Sequence, residues 1–175
     1  MAKIEIEKLT KLLEGYEELK QIFYYEQIEV IIEGLKNEID ISVYADPKYS
    51  WCQMEEIRAG LQDKLDVSIY ANPKYDYEQM REIRFSLKYG LDVSQYANPK
   101  YNHFQMCQIR FGLEDNLDIT VYANPKYDAF QMQQLRYGLE QGLDVSIYAD
   151  DKYDWCQMNK IRLELLEEKE KINNG

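Results

Sequence analysis

The chain has 175 residues, a formal net charge of −11, 30% charged and 13% aromatic residues, and a single histidine. That acidity argues against generic attraction to a phosphate backbone, which needs clustered Lys and Arg. No stretch approaches the ~20 apolar residues of a membrane span, so neither nucleic acid nor a membrane is the expected partner. The N-terminal MAKIEIEKLTKLLEGYEELK is charged throughout and lacks the apolar core of a signal peptide.

The segment DVSIYANPKYDYEQMREIRFSLKYGL, residues 66–91, recurs at a strict 26-residue interval. Tyr44, Tyr70, Tyr96, Tyr122 and Tyr148 open successive copies of YA(N/D)PKY, and Met54, Met80, Met106, Met132 and Met158 keep step. A fixed period of this length marks a solenoid, whose units bury their apolar faces only by stacking on neighbours. The expected fold is a single elongated all-α domain: a right-handed α-solenoid of helix–turn–short-helix repeats.

Residues 1–43 read as an N-terminal helical cap carrying a worn copy of the repeat. Gln27, Ile31, Gly34 and Leu35 precede Gln53, Ile57, Gly60 and Leu61 by one period, and Leu9 and Leu13 match Leu35 and Ile39. The tyrosine-proline segment is replaced there by Glu17, Glu18 and Lys20. A terminal unit has one face in water, which accounts for its charge.

Regular repeats occupy residues 44–153, with positions numbered from each opening tyrosine. Position 7 (Ser50, Asp76, Asn102, Asp128, Asp154) is a helix N-cap residue in every copy, and Gln stands three residues later at position 10. Together they predict a capping box. Apolar residues at positions 11, 14, 18 and 22 then describe one stripe of an α-helix. Asp at position 23 (Asp40, Asp66, Asp92, Asp118, Asp144) reads as a second N-cap, opening a short α or 3₁₀ turn that ends at Pro47, Pro73, Pro99 and Pro125. Runs such as DVSIY also have strand propensity, but two N-caps in 26 residues favour helices. Residues 154–175 form the C-terminal capping helix and tail, where Glu and Lys replace the apolar stripe.

Small residues at position 17 (Gly60, Ser86, Gly112, Gly138) and at position 21 (Gly90, Gly142) predict close approach of a neighbouring backbone. The tyrosines at positions 1 and 6 are expected to pack between units. A base-stacking platform would also need a positive groove. The arginines at position 15 (Arg58, Arg84, Arg110, Arg136, Arg162) are expected to pair with the Asp at position 23. The other account makes them a ligand row for acidic or phosphate groups.

Four positions vary while the frame holds. Position 8 is Trp51, Tyr77, His103, Ala129 and Trp155; position 12 is Glu55, Arg81, Cys107, Gln133 and Asn159. Position 16 includes Phe85, Phe111 and Tyr137, and position 19 is equally irregular. Their spacing places them on one helix face, and a variable, aromatic-rich face on a regular frame fits a modular binding surface. Trp51, Glu55, Tyr77, Arg81, Phe85, His103, Cys107, Phe111, Tyr137 and Trp155 are therefore the candidate partner-binding residues. The alternative for position 16 is packing between units.

Catalysis finds little support. Cys107 and His103 form only a lone i, i+4 pair, without metal-ligand spacing, and no phosphate loop or nucleophile elbow is present. Neither a metal nor a cofactor is expected. Cys52 and Cys156 occupy the same position four units apart, beyond the ~5.5 Å between Cα atoms that a disulfide spans. Free thiols without an export signal point to the cytoplasm.

The unit QMxxIRxGLxxGLDVSxYANPKY, covering residues 44 to about 163, resembles a short helical repeat of accessory proteins from bacterial mobile elements. In dimensions it is also similar to leucine-rich-variant α/3₁₀ solenoids, without the cysteine cluster that some of those carry. The resemblance implies a scaffold rather than an activity. The expected function is non-enzymatic protein binding, with inhibition of a host defence or nucleic-acid-processing protein as the mobile-element version and a basic surface as the partner's complement. The alternative is a small-molecule or nucleotide-binding solenoid that uses the Arg and Tyr rows.

Overall fold

A computed structural model describes Gly15 and residues 19–173. The expectations placed on Leu9, Leu13, Glu17 and Glu18, and the last two residues of the tail, lie outside the described residues. From Tyr25 onward six α-helices follow one another among the described residues: α1 (Tyr25–Lys36), α2 (Trp51–Gln62), α3 (Tyr77–Lys88), α4 (His103–Glu114), α5 (Ala129–Glu140) and α6 (Trp155–Asn173). Short 3₁₀ helices stand at Ile41–Val43, Val67–Ile69, Ile119–Val121 and Val145–Ile147, and the described residues contain no strand. The fold is thus all-α and solenoid-like, as the period predicts. No helix among the described residues is long and apolar enough to cross a membrane.

The chain divides into two compact units, Met1–Arg84 and Phe85–Gly175. In the first, α1 packs on α2, and each helix packs on the 3₁₀ turn that follows it. In the second, α4 packs on α5 and α5 on α6, and again α4 and α5 each cover their own 3₁₀ turn.

The capping boxes form as expected, and the glutamine in them has a second role. In α2, Ser50 Oγ accepts from the Gln53 amide at 3.2 Å, while Gln53 Oε1 accepts from the Ser50 amide at 2.7 Å. The other end of the same side chain points into the next repeat: Gln53 Nε2 donates to the Tyr75 carbonyl at 2.5 Å and the Pro73 carbonyl at 3.3 Å. Gln27 reaches Tyr49 at 2.5 Å, Gln105 reaches Tyr127 at 2.6 Å, and Gln131 reaches Tyr153 at 2.7 Å. One amide therefore satisfies a helix start and ties it to the following turn. The position 6 tyrosines add a parallel tie, with Tyr49 Oη donating to the Ala71 carbonyl and Tyr101 Oη to the Ala123 carbonyl, each at 2.7 Å.

The helices α1 to α5 end in the same way. The Lys64 amide donates to the Leu61 carbonyl at 3.0 Å and the Leu65 amide to the Gly60 carbonyl at 2.9 Å, the pattern of a Schellman motif. Its penultimate residue needs a left-handed backbone, found at Glu38, Lys64, Gly90, Asn116 and Gly142 with φ of 58°, 58°, 72°, 55° and 64°. The glycines at position 21 are therefore there for conformation, and the expected close approach of a backbone does not explain them. The Asp at position 23 then caps the 3₁₀ turn, as Asp66 does by accepting from the Ser68 amide at 3.1 Å. Hydrogen bonds from the Ser42 hydroxyl and amide hold the equivalent Asp40 carboxyl below its ordinary pKa.

The core is built on the tyrosine that follows this turn. Tyr44, Tyr70, Tyr96, Tyr122 and Tyr148 are fully buried, together with the methionine row and Ile31, Ile57, Ile83, Ile109 and Leu135. The Tyr70 hydroxyl donates to the Glu56 carbonyl at 3.2 Å, and Tyr122 and Tyr148 make the same bond to Gln108 and Gln134. That carbonyl lies one turn before the small residue at position 17. A Cβ built on Gly60, Gly112 or Gly138 would overlap the phenol oxygen of Tyr70, Tyr122 or Tyr148. The group approaching position 17 is thus the side chain of the tyrosine that opens the next repeat, where the sequence predicted a neighbouring backbone. In the remaining repeat Ser86 replaces the glycine, and its hydroxyl accepts directly from Tyr96.

Two outcomes test this core. Gly60→Ala forces the Tyr70 ring outward and should cost about 1–3 kcal/mol in denaturant unfolding, with Tyr70→Phe in the same chain recovering part of the loss. Burial pushes the phenols of Tyr44 and Tyr148 up to about 12, above the ordinary value near 10. The folded state therefore holds these protons longer than the unfolded chain, so stability is intact below pH ~10 and falls as pH rises toward ~12. Tyrosinate absorbance of the buried set should rise together with loss of helical circular dichroism. Ionisation that precedes unfolding would refute the assignment.

Candidate functional site

The arginines at position 15 do not pair with the Asp at position 23, which is occupied as a cap. They reach backwards instead, to the side chain at position 13 of the preceding repeat. Arg84 Nε donates to Glu56 Oε2 at 2.8 Å, Arg136 Nε to Gln108 Oε1 at 3.1 Å, and Arg162 Nε to Gln134 Oε1 at 3.1 Å. The acceptors are set deep: Glu56 and Gln134 are buried, and a planar fork fixed at Nε suits such a site. Arg84 also lies 3.8 Å from Asp63, and Arg162 donates to Gln141 at 2.9 Å.

In the second compact unit the aromatic residues at position 16 complete this arrangement. Arg110 lies 4.6 Å from the centroid of Phe111, Arg136 lies 5.3 Å from Phe111 and 4.7 Å from Tyr137, and Arg162 lies 5.6 Å from Tyr137. Guanidinium and ring alternate, and each cation over a ring face adds attraction beyond its hydrogen bonds. Phe111 and Tyr137 are half-buried by this packing.

Arg58, in the first compact unit, departs from the series. Counting back from Arg58 to position 13 of the preceding repeat reaches Val30, which offers no acceptor, and position 16 of α2 is Ala59. Arg58 turns along its own helix, donating to Glu55 through Nη2 at 2.5 Å and Nε at 3.0 Å. Beside Arg58, α1 and α2 bound an open groove of about 640 Å³. Tyr25, Glu26, Glu29, Val30 and Glu33 line it from α1, and Trp51, Glu55 and Arg58 line it from α2. Trp51 is 50% exposed and Tyr25 60%. The groove opens on the face that carries positions 8, 12 and 16.

Trp51 and Glu55 are thus brought together in this groove. Arg81 is exposed, lies 5.4 Å from the Tyr77 ring centroid, and donates to Glu56 Oε1 at 2.9 Å. Phe85 is half-buried. His103 stacks at 3.9 Å against Phe104, and the Cys107 sulfur accepts from Arg110 at 3.8 Å. Trp155 is 45% exposed and lies 5.9 Å from Phe130. Two exposed rings, Phe104 and Phe130, were missed by the sequence reading. They stand at position 9, whose irregular series from Cys52 to Cys156 is the available signal. Position 13 was missed as well, although Glu56, Gln108 and Gln134 all offer an acceptor two residues before an arginine. Cys52, Cys107 and Cys156 are free thiols.

No protein-family model, curated protein or solved structure matches this chain. Its functional reading therefore rests on its own geometry.

The arginine arrangement makes a sharp prediction at Glu56. Glu56→Gln keeps an acceptor for Arg84, as Gln108 and Gln134 do for their arginines, but turns its Nε2 toward the exposed Arg81, and should cost about 0.5–1.5 kcal/mol. Glu56→Ala removes the buried acceptor of Arg84, which keeps Asp63 at 3.8 Å, and should cost more, about 3 kcal/mol, the low end for loss of one partner of a buried pair. Chemical denaturation of the two variants measures the difference, and equal losses would overturn the assigned role.

Proposed function

We propose that this protein is a non-enzymatic repeat module that binds another protein through the face bearing positions 8, 9, 12 and 16. The observation that carries the reading is the contrast between two sets of residues. The tyrosines at position 1, the methionines and Gln27, Gln53, Gln79, Gln105 and Gln131 are turned inward, while Trp51, Phe104, Phe130 and Trp155 stand in water. Exposed aromatic side chains on a rigid frame are the usual anchors of protein interfaces. The arginines at position 15 are committed to scaffold contacts, which supports this reading over a nucleotide-binding one.

The resemblance to repeats of mobile-element accessory proteins and the charge of −11 support a finer version. In it, the partner is a host defence or nucleic-acid-processing protein with a basic surface, inhibited by occupation of that surface. Charge complementarity of this kind contributes to association rate and specificity.

The test is affinity capture followed by identification of the bound protein. Trp51→Ala combined with Phe130→Ala should abolish capture with helicity unchanged, while Lys74→Ala, on the exposed turn, should leave it intact. Undiminished capture by the folded double variant would overturn the reading.

A further inference from the structure

The groove between α1 and α2 is a missing rung of the arginine series, and its chemistry describes what would replace that rung. We propose that it takes an arginine-bearing, extended peptide segment of the partner, whose guanidinium groups lie against the carboxylates of Glu26, Glu29 and Glu33 and the rings of Tyr25 and Trp51. This inference rests on the protein-binding reading and names the chemistry of the partner's segment.

Three observations converge. Wherever the series is complete, a guanidinium sits between an acceptor at position 13 and aromatic rings at position 16, so the fold already accommodates this group. In the groove, Val30 offers Arg58 no acceptor, while Trp51 and Tyr25 supply ring faces from position 8. The charge is complementary too. Glu26, Glu29 and Glu33 line the groove from one helix against Lys36, and Glu55 is matched internally by Arg58. No ion pair engages Glu26 or Glu29 among the described residues.

The spacing adds a constraint. Glu26, Glu29 and Glu33 fall at i, i+3 and i+7 along α1, a stripe about 10 Å long at 1.5 Å per residue. An extended chain covers that distance in about three residues, so arginines three apart can meet the two ends of the stripe. Arginine is favoured over lysine because its planar group both stacks on an indole and forks onto a carboxylate.

The experiment is calorimetric titration of the full chain with an end-blocked peptide carrying arginines three residues apart. Its controls are the same peptide with citrulline at those positions and an uncharged amphipathic peptide of equal length. The expected result is saturable 1:1 binding of the arginine peptide, at least tenfold weaker for citrulline and weakened by added salt. Glu29→Gln with Glu33→Gln should reduce affinity about tenfold, and Trp51→Ala likewise. Val30→Glu restores the acceptor, draws Arg58 across the groove and should abolish binding while preserving helicity. Equal binding of the citrulline peptide, preference for the amphipathic peptide, or native affinity in Trp51→Ala and Val30→Glu would each overturn the proposal. If the arginine peptide fails while partner capture still depends on Trp51 and Phe130, only this inference falls. If the peptide binds but capture ignores those residues, the protein-binding reading falls.

Discussion

Each repeat depends on one side-chain amide. The glutamine at position 10 accepts through Oε1 from the N-cap of its own helix and donates through Nε2 to the turn of the next repeat. Both groups it satisfies are backbone atoms, one an orphan amide at a helix start and the other a carbonyl in a proline turn. Leaving either buried and unmatched would cost about 1–3 kcal/mol. An aliphatic residue could fill the volume, and a glutamate could cap the helix. Only an amide combines the acceptor with the donor. Local helix initiation and the joining of successive units are thereby one event, which couples secondary structure to stacking without a long apolar helix face.

That economy explains the modest apolar stripe. Only two of its four positions, the methionine and the isoleucine or leucine three residues on, are fully buried from α2 to α5, and those at positions 18 and 22 lie nearer the surface. The tyrosine after the 3₁₀ turn takes the remaining core volume. It brings a hydroxyl that must be bonded, and the helix supplies a carbonyl laid bare by a residue without a bulky side chain. Glycine at position 17 and tyrosine at position 1 are therefore one device, separated by ten residues in the chain and joined at a single oxygen. In the repeat where serine replaces glycine, the bond moves to the serine hydroxyl, so the device tolerates a second solution.

Much of this was legible before any coordinates. Period, caps and the apolar stripe identify the long helices and the short helical turn between them, because each signal is local and recurs in several copies. What stayed hidden involves contacts between residues far apart in the chain. Arg84 and Glu56 lie 28 residues apart, one period and two residues, and nothing in either neighbourhood announces the match. The glycines at position 21 misled for a different reason: a glycine reports either proximity or a left-handed backbone, and only Lys64 and Asn116, taking the same conformation with side chains attached, separate the two. The groove was half visible. Trp51 and Glu55 declared themselves by departing from the repeat, whereas Val30 and Ala59 shape the site by what they lack.

The forward reach of the glutamine also governs how such a chain can change. Because the bond from Gln53 to Tyr75 spans 22 residues and that from Gln131 to Tyr153 the same 22, a one-residue insertion between the partners would displace the carbonyl from its donor. Removal or duplication of a complete 26-residue segment would restore every bond with a new neighbour. Variation in length is thus tolerated in whole repeats and resisted within them. An array of this kind can be lengthened or shortened by recombination between copies, while its outward-facing side chains drift by single substitutions.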